Sequence, residues 1–172
     1  MNYRRFFESA VMRLQEERRY RVFAHLERDV EAFPQAVWHR PEGVKQDVTI
    51  WCSNDYLGMG QHPEVIAAMV ATAAKVGAGA GGTRNISGNS HAIVELEEEL
   101  ADLHGKEAAL VFTSGWISNF ATISTIADLL PNCLILSDAS NHNSMIEGVK
   151  RSRAEKKIFG HNDLGHLEEL LK

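Results

Sequence analysis

Apolar positions recur along the chain with two different periods, and the switch between them marks its elements. Phe7, Ala10, Val11 and Leu14 follow the i, i+3, i+4, i+7 spacing of one helix face, so residues 4–19 read as an amphipathic helix. Phe33-Pro34 and Pro41-Glu42-Gly43 then punctuate a stretch that reads as irregular. Val48–Cys52, rich in β-branched and aromatic residues, is a short strand candidate. Asn54–Gly58 makes a turn, and Pro63 suits the first turn of a helix reaching Val76. Ile93, Leu96, Leu100 and Leu103 share one face of the next helix, with Ser90 as its cap and Gly105 as its stop.

Beyond Gly105 the alternation is regular. Strands are expected at Ala108–Thr113, Cys133–Ser137 and Lys157–Phe159. Helices are expected over Gly115–Leu129, residues 142–152 and Leu164–Leu171, the last capped by Asn162 or Asp163. Strands alternating with helices imply βαβ units, hence an α/β fold with a mostly parallel sheet covered by helices on both faces. Residues 1–45 read as an N-terminal helical segment ahead of that layered part, which occupies 46–172. The last helix directly follows a strand with no closing edge after it, as at the front of a larger fold.

Composition narrows the class. The 172 residues are 44% hydrophobic, enough for a buried core and too many for an unfolded chain. Eighteen Lys and Arg against 23 Asp and Glu leave a net charge of −5, which argues against a dedicated nucleic-acid binder. No window approaches the roughly 20 apolar residues of a membrane span. Cys52 and Cys133 lack zinc-site or disulfide-framework spacing and read as buried thiols in a reducing compartment. The Arg-rich start also holds Glu8, Glu16 and Glu17, unlike an organelle leader, so a cytoplasmic location is expected.

Three stretches carry candidate chemistry. GAGAGG at 77–82 matches G-x-G-x-x-G in letters only: it follows a helix, whereas the dinucleotide fingerprint follows a strand. It reads instead as a flexible loop that lets backbone approach a ligand. At Ser114-Gly115-Trp116 a strand is expected to end and a helix to begin, giving either an anion site for a phosphate or an ordinary βα turn. Ser137 to His142 falls at the carboxyl end of the next strand, where open α/β sheets bind ligands. His142 there suits proton transfer, stacking on an aromatic cofactor, or simple helix capping.

Taken together the motifs are specific. AFPQAVW at 32–38, WCSNDYLGMGQHP at 51–63, GAGAGGTRNISG at 77–88, LADLHGKEAALVF at 100–112, SDASNHNSMIEG at 137–148 and FGHND at 159–163 run in order along the chain. This series resembles the α-oxoamine synthases, a branch of the fold-type I pyridoxal-phosphate enzymes, and within them the aminolevulinate-forming type. The resemblance implies pyridoxal 5'-phosphate as cofactor, glycine and succinyl-CoA as substrates, and a homodimer with shared active sites; charge and hydropathy already lead us to expect no nucleic acid and no membrane as partners. It makes 46–172 the first part of the cofactor-binding large domain.

Residue by residue, it assigns Gly115 and Trp116, with Ser114 beside them, to the cofactor phosphate, and His142 to the face of its ring. Asn54 is assigned to the glycine carboxylate. Arg21, Thr83 and Asn85 are assigned to the succinyl carboxylate across the dimer interface. Ser137 and Lys156 are assigned to the substrate, Lys156 toward CoA phosphates. Family members are more than twice this long. The lysine that carries the cofactor and the carboxylate facing its ring nitrogen have no match here, so these residues alone are expected to be inactive. A sibling enzyme with another amino acid or acyl-CoA, or a non-catalytic subunit, is the alternative.

Overall fold

The computed structural model describes residues 2–172, which form two compact units, one ending at Gly79 and one spanning Ala80–Lys172. The first unit opens with α1 (Tyr3–Glu16), whose start is capped by the Asn2 side chain accepting from the Arg5 amide at 3.1 Å. Its apolar residues, Phe7 and Val11 among them, are exposed, and no residue of α1 is buried.

Next comes an antiparallel three-stranded sheet, β1 (His25–Arg28), β2 (Gln35–His39) and β3 (Lys45–Thr49), in that order across the sheet. In register, Leu26 faces Trp38, and Trp38 faces Gln46. Arg40 lies over the Trp38 ring, 4.8 Å from its centroid. The chain reverses between β2 and β3 through Glu42 and Gly43, both with positive φ, a region open to glycine without steric cost. The segment 1–45 is therefore helical only in its first third, and the sheet replaces the expected irregular stretch. The reason is local: HLER and QAVWH do not alternate apolar and polar residues, and only Ala36 among the nine is buried. β3 also lies earlier than expected, leaving Trp51 and Cys52 exposed beyond the ladder rather than within it. Helix α2 (Pro63–Val76) carries Pro63 in its first turn and ends on Gly77 at φ 87°.

The second unit begins with a π-helical turn, Arg84–Gly88, and α3 (His91–Leu103). Ser90 holds the cap position of α3 without a capping side-chain bond, and Gly105 terminates it at φ 59°. Residues 108–113 are not a strand. No neighbouring strand pairs with them, and the Val111 amide donates instead to the Glu97 carboxylate at 2.7 Å. α4 (Gly115–Leu129), β4 (Leu134–Asp138), α5 (Asn143–Arg151), β5 (Glu155–Phe159) and α6 (Leu164–Leu171) complete it. Asp163 caps α6 by accepting from the His166 amide at 2.9 Å. β4 and β5 pair in parallel with Ser137 opposite Ile158, so the α/β expectation holds in this unit.

The core of this unit is small. Ala127 and Val149 are its buried apolar residues on α4 and α5, and Ser144 is the one fully buried side chain. What brings α4 and α5 together is Gly148: a Cβ there would lie 3.1 Å from the Ile123 Cβ and 3.2 Å from the Asn119 and Phe120 carbonyl oxygens. Among the described residues no helix is long and apolar enough to cross a membrane. Gly148→Val should therefore force α5 off α4 and cost about 1–3 kcal/mol through overpacking, read as a lowered thermal midpoint. An unchanged midpoint would mean that the two helices do not depend on this contact.

Candidate active site

The turn entering α4 is built from backbone. Ser114 caps the helix, its hydroxyl accepting from the Ile117 amide at 3.2 Å and its carbonyl from the Ser118 amide at 3.0 Å. The Gly115 and Trp116 amides are left without an acceptor among the described residues. A Cβ on Gly115 would meet no chain atom within 4 Å, so the space in front of these donors is open. Two unpaired N–H groups at the positive end of a fifteen-residue helix suit an anion of phosphate size. The indole of Trp116 stacks on Phe120 at 5.3 Å.

His142 stands at the N-cap of α5, just past the carboxyl end of β4. Its Nδ1 accepts from the Ser144 amide at 3.2 Å and meets the Ser144 hydroxyl at 2.7 Å. The Ser144 Oγ in turn accepts from the Asn119 side-chain amide at 3.0 Å. With Asn119 and the Ser144 amide both donating, the hydroxyl proton is directed to Nδ1, which leaves the proton of a neutral imidazole on Nε2. His142 is thus a capping histidine, one of the roles that the sequence left open, and its ring is held in one orientation. Ser144 and Asn119 are not evident from the sequence. The signal that was available is a serine two residues after the histidine, placed on the buried face of α5.

Ser137 and Lys156 meet. Lys156 pairs with Ile135 in register, which puts it on the same face of the sheet as Ser137, and both line a cavity of about 300 Å³ with Ile146, Val149 and Ile158. Ser137 is buried, its hydroxyl accepting from the Asn141 side chain at 2.9 Å, and Lys156 reaches the Val149 carbonyl at 3.4 Å. Lys150 also lines it, with its ammonium paired to Glu147 at 2.9 Å.

Asp138 closes the loop between these sites. Its carboxylate accepts from the Asn162 amide at 2.9 Å, the Ser140 amide at 2.7 Å and the His161 ring at 2.9 Å. Those donors, the Asn162 amide first, hold its carboxyl down at about 2. Thr83 and Asn85 are exposed on either side of Arg84, and no hydrogen bond links them to the α4 or α5 sites. In the first unit, Asn54 is exposed in a recess of about 660 Å³ lined by Arg28, Trp51 and Tyr56, and Arg21 is exposed beyond the end of α1.

Open donors at a helix start, and a parallel strand pair whose carboxyl end carries a fixed imidazole, are features of a ligand-binding α/β domain. The chain belongs to the family of class I and II aminotransferases, which matches residues 46–172. Among curated proteins, it is 67% identical over all 172 residues to a 5-aminolevulinate synthase of Bradyrhizobium diazoefficiens. It is 57% identical over 171 residues to a 5-aminolevulinate synthase of Rhodobacter capsulatus. The chain spans 42% of the length of each. A serine palmitoyltransferase of Sphingomonas wittichii superposes on 95% of the chain, with 39% of its own length covered, at a TM-score of 0.76 and 27% identity. One from S. paucimobilis, solved with PLP and myriocin bound, covers 96% of the chain and 40% of its own, at a TM-score of 0.75 and 26% identity.

The bonds to Asp138 set an acid limit. Its carboxyl ordinarily titrates near 3.8 and is held at about 2, so its stabilisation is present above about pH 4 and lost as pH falls toward 2. Asp138→Asn should flatten that part of the acid limb in a urea-midpoint series from pH 6 to pH 2. An acid limb identical in both proteins would show that the Asp138 contacts do not form.

Proposed function

We propose that this chain is the front part of a 5-aminolevulinate synthase. The enzyme condenses glycine with succinyl-CoA and one proton to give 5-aminolevulinate, CoA and carbon dioxide, the entry to haem and tetrapyrrole synthesis. One observation carries the reading: 67% identity over the full chain to a protein of that name. Residues 46–172 are then the first part of the cofactor-binding large domain, working in a cytoplasmic homodimer.

The residues present fit pyridoxal phosphate. The Gly115 and Trp116 amides, open in front and backed by the helix, would hold its phosphate, with Ser114 fixing the turn. His142, its Nδ1 engaged by Ser144, would lie against the ring. Bound there, the cofactor supplies an electron sink for charge developing on the glycine carbon.

The chain's own task is placement and charge. Asn54 would orient the glycine carboxylate by hydrogen bonding. Ser137 keeps its own proton free to donate, since its oxygen accepts from Asn141. Lys156 would meet CoA phosphates as a point charge. Arg21 would offer its planar fork to the distal carboxylate of the acyl donor, from the other subunit, with Thr83 and Asn85 completing the hydrogen bonds. An acyl donor lacking that carboxylate leaves the arginine unpaired, which is the physical basis for preferring succinyl-CoA.

Purified full-length protein should release CoA and 5-aminolevulinate in equal amounts from glycine and succinyl-CoA, and only with pyridoxal phosphate bound. Turnover with a different amino acid, and none with glycine, would favour a sibling enzyme and overturn the assignment. In the same protein, Arg21→Leu leaves a carboxylate without its counter-charge, a loss of about 3–5 kcal/mol when such a pair is buried. The ratio of kcat/KM for succinyl-CoA to that for butyryl-CoA should therefore fall sharply. Equal losses for both donors would make Arg21 a surface arginine. His142→Ala should weaken cofactor affinity, titrated by absorbance, and lower the thermal midpoint of the cofactor-free protein only by the lost α5 cap, about 0.5–2 kcal/mol. Unchanged affinity would remove His142 from the site.

A further inference from the structure

An arginine set between a threonine and an asparagine, in a loop read as recognising a carboxylate, is the obvious side chain to bind that carboxylate itself. The structure commits Arg84 elsewhere. Its Nη1 and Nη2 donate to the two Glu97 oxygens at 2.6 and 2.8 Å, its Nε donates to the Asn89 side chain at 2.9 Å, and Nη1 also points at the Val111 carbonyl at 3.5 Å. Glu97 has its own second donor, the Val111 amide at 2.7 Å. The Glu97 side chain keeps 14% of its accessible surface and Arg84 35%, so the pair is turned inward while Thr83 and Asn85 face out. Little of the guanidinium fork remains for a substrate.

Among the described residues, the other hydrogen bonds of the loop that carries Thr83 and Asn85 are internal to it. The Thr83 carbonyl accepts from the Ile86, Ser87 and Gly88 amides at 3.0, 3.2 and 2.9 Å. Gly88 is buried against the Gly82 carbonyl so closely that no Cβ fits there. This makes a tight ring, but a ring alone can swing as a body. Within the second unit, Arg84 is what ties it to α3 and to the 108–113 segment. Glu97 is also held at about 2 by Arg84 first and the Val111 amide second, so the tie stays ionised across the working pH range.

We propose that Arg84 and Glu97 are positioning residues for the acyl donor: their bidentate pair fixes the 82–88 ring so that Thr83 and Asn85 are presented to the distal carboxylate of succinyl-CoA. The inference rests on the reading of Thr83 and Asn85 given above. Arg84 acts on specificity through its neighbours and does not touch substrate.

The test uses the full-length holoenzyme with Arg84→Lys, which keeps the charge and loses the fork, and Glu97→Gln, which keeps the shape and loses the charge. Each should raise the KM for succinyl-CoA about tenfold, the ratio that 1.4 kcal/mol produces. The KM for glycine, the cofactor affinity and kcat/KM for butyryl-CoA should stay at parent values. The double variant should be no worse than the worse single, because both break one unit. In the protein without substrates, the Ile86, Ser87 and Gly88 amides should exchange faster in both variants. A parallel fall in every kinetic constant, or unchanged exchange at those amides, overturns the proposal. Thr83→Ala separates the two levels. If it raises the succinyl-CoA KM while Arg84→Lys and Glu97→Gln do not, the clamp fails and the acyl-donor reading stands. If all three are silent, that reading fails and the clamp with it.

Discussion

The close approach of α4 to α5 is the contact on which the second unit is organised. Gly148 allows the approach because it presents no side chain, and Ser144, one helical turn earlier, fills the seam with a hydroxyl bonded on both sides. Both helices start near this seam. Asn119 is four residues into α4, and Ser144 is the second residue of α5. One packing decision therefore sets the relative placement of two N-termini: the one with open amides and the one with the histidine. A small buried core suffices for this because the residues at the seam are small and the hydrogen bonds across it are complete.

A second set of constraints works through carboxylates. Asp138 and Glu97 are each surrounded by donors from distant parts of the chain, and each holds an irregular segment that no ladder holds. Loops beside a binding site carry backbone groups that regular structure would otherwise satisfy. Here two side chains take that part. The 108–113 segment is the clearest case: it is apolar enough for a strand, yet its Val111 amide finds an acid instead of a neighbouring strand.

The sequence is legible where one element carries its own stop and start signals. Pro63 with Gly77 and Ser114 with Gly115 bound α2 and α4 as expected, because caps act within one turn and need no partner. β1 and β2 are illegible for the opposite reason: their pairing partners are each other and β3, and their mixed side chains carry no alternation. The site divides in the same way. Ser114, Ser137 and His142 announce themselves by lying at element ends, whereas the Asn119–Ser144 and Arg84–Glu97 bonds join residues 25 and 13 apart and appear only in three dimensions.

Those separations have a kinetic meaning. The bonds that define the second unit span 27 residues at most among those joining its loops and helices: Arg84 to Val111, Asn119 to Ser144, Asp128 to Arg153 and Asp138 to Asn162. Each closes a loop of 24 to 27 residues, and the entropy of that closure is lost before the bond contributes. Formation of the unit thus waits on these non-local closures, and helix formation alone does not complete it. The turn with open amides and the oriented imidazole would then come into register together, in the one step that brings α4 against α5.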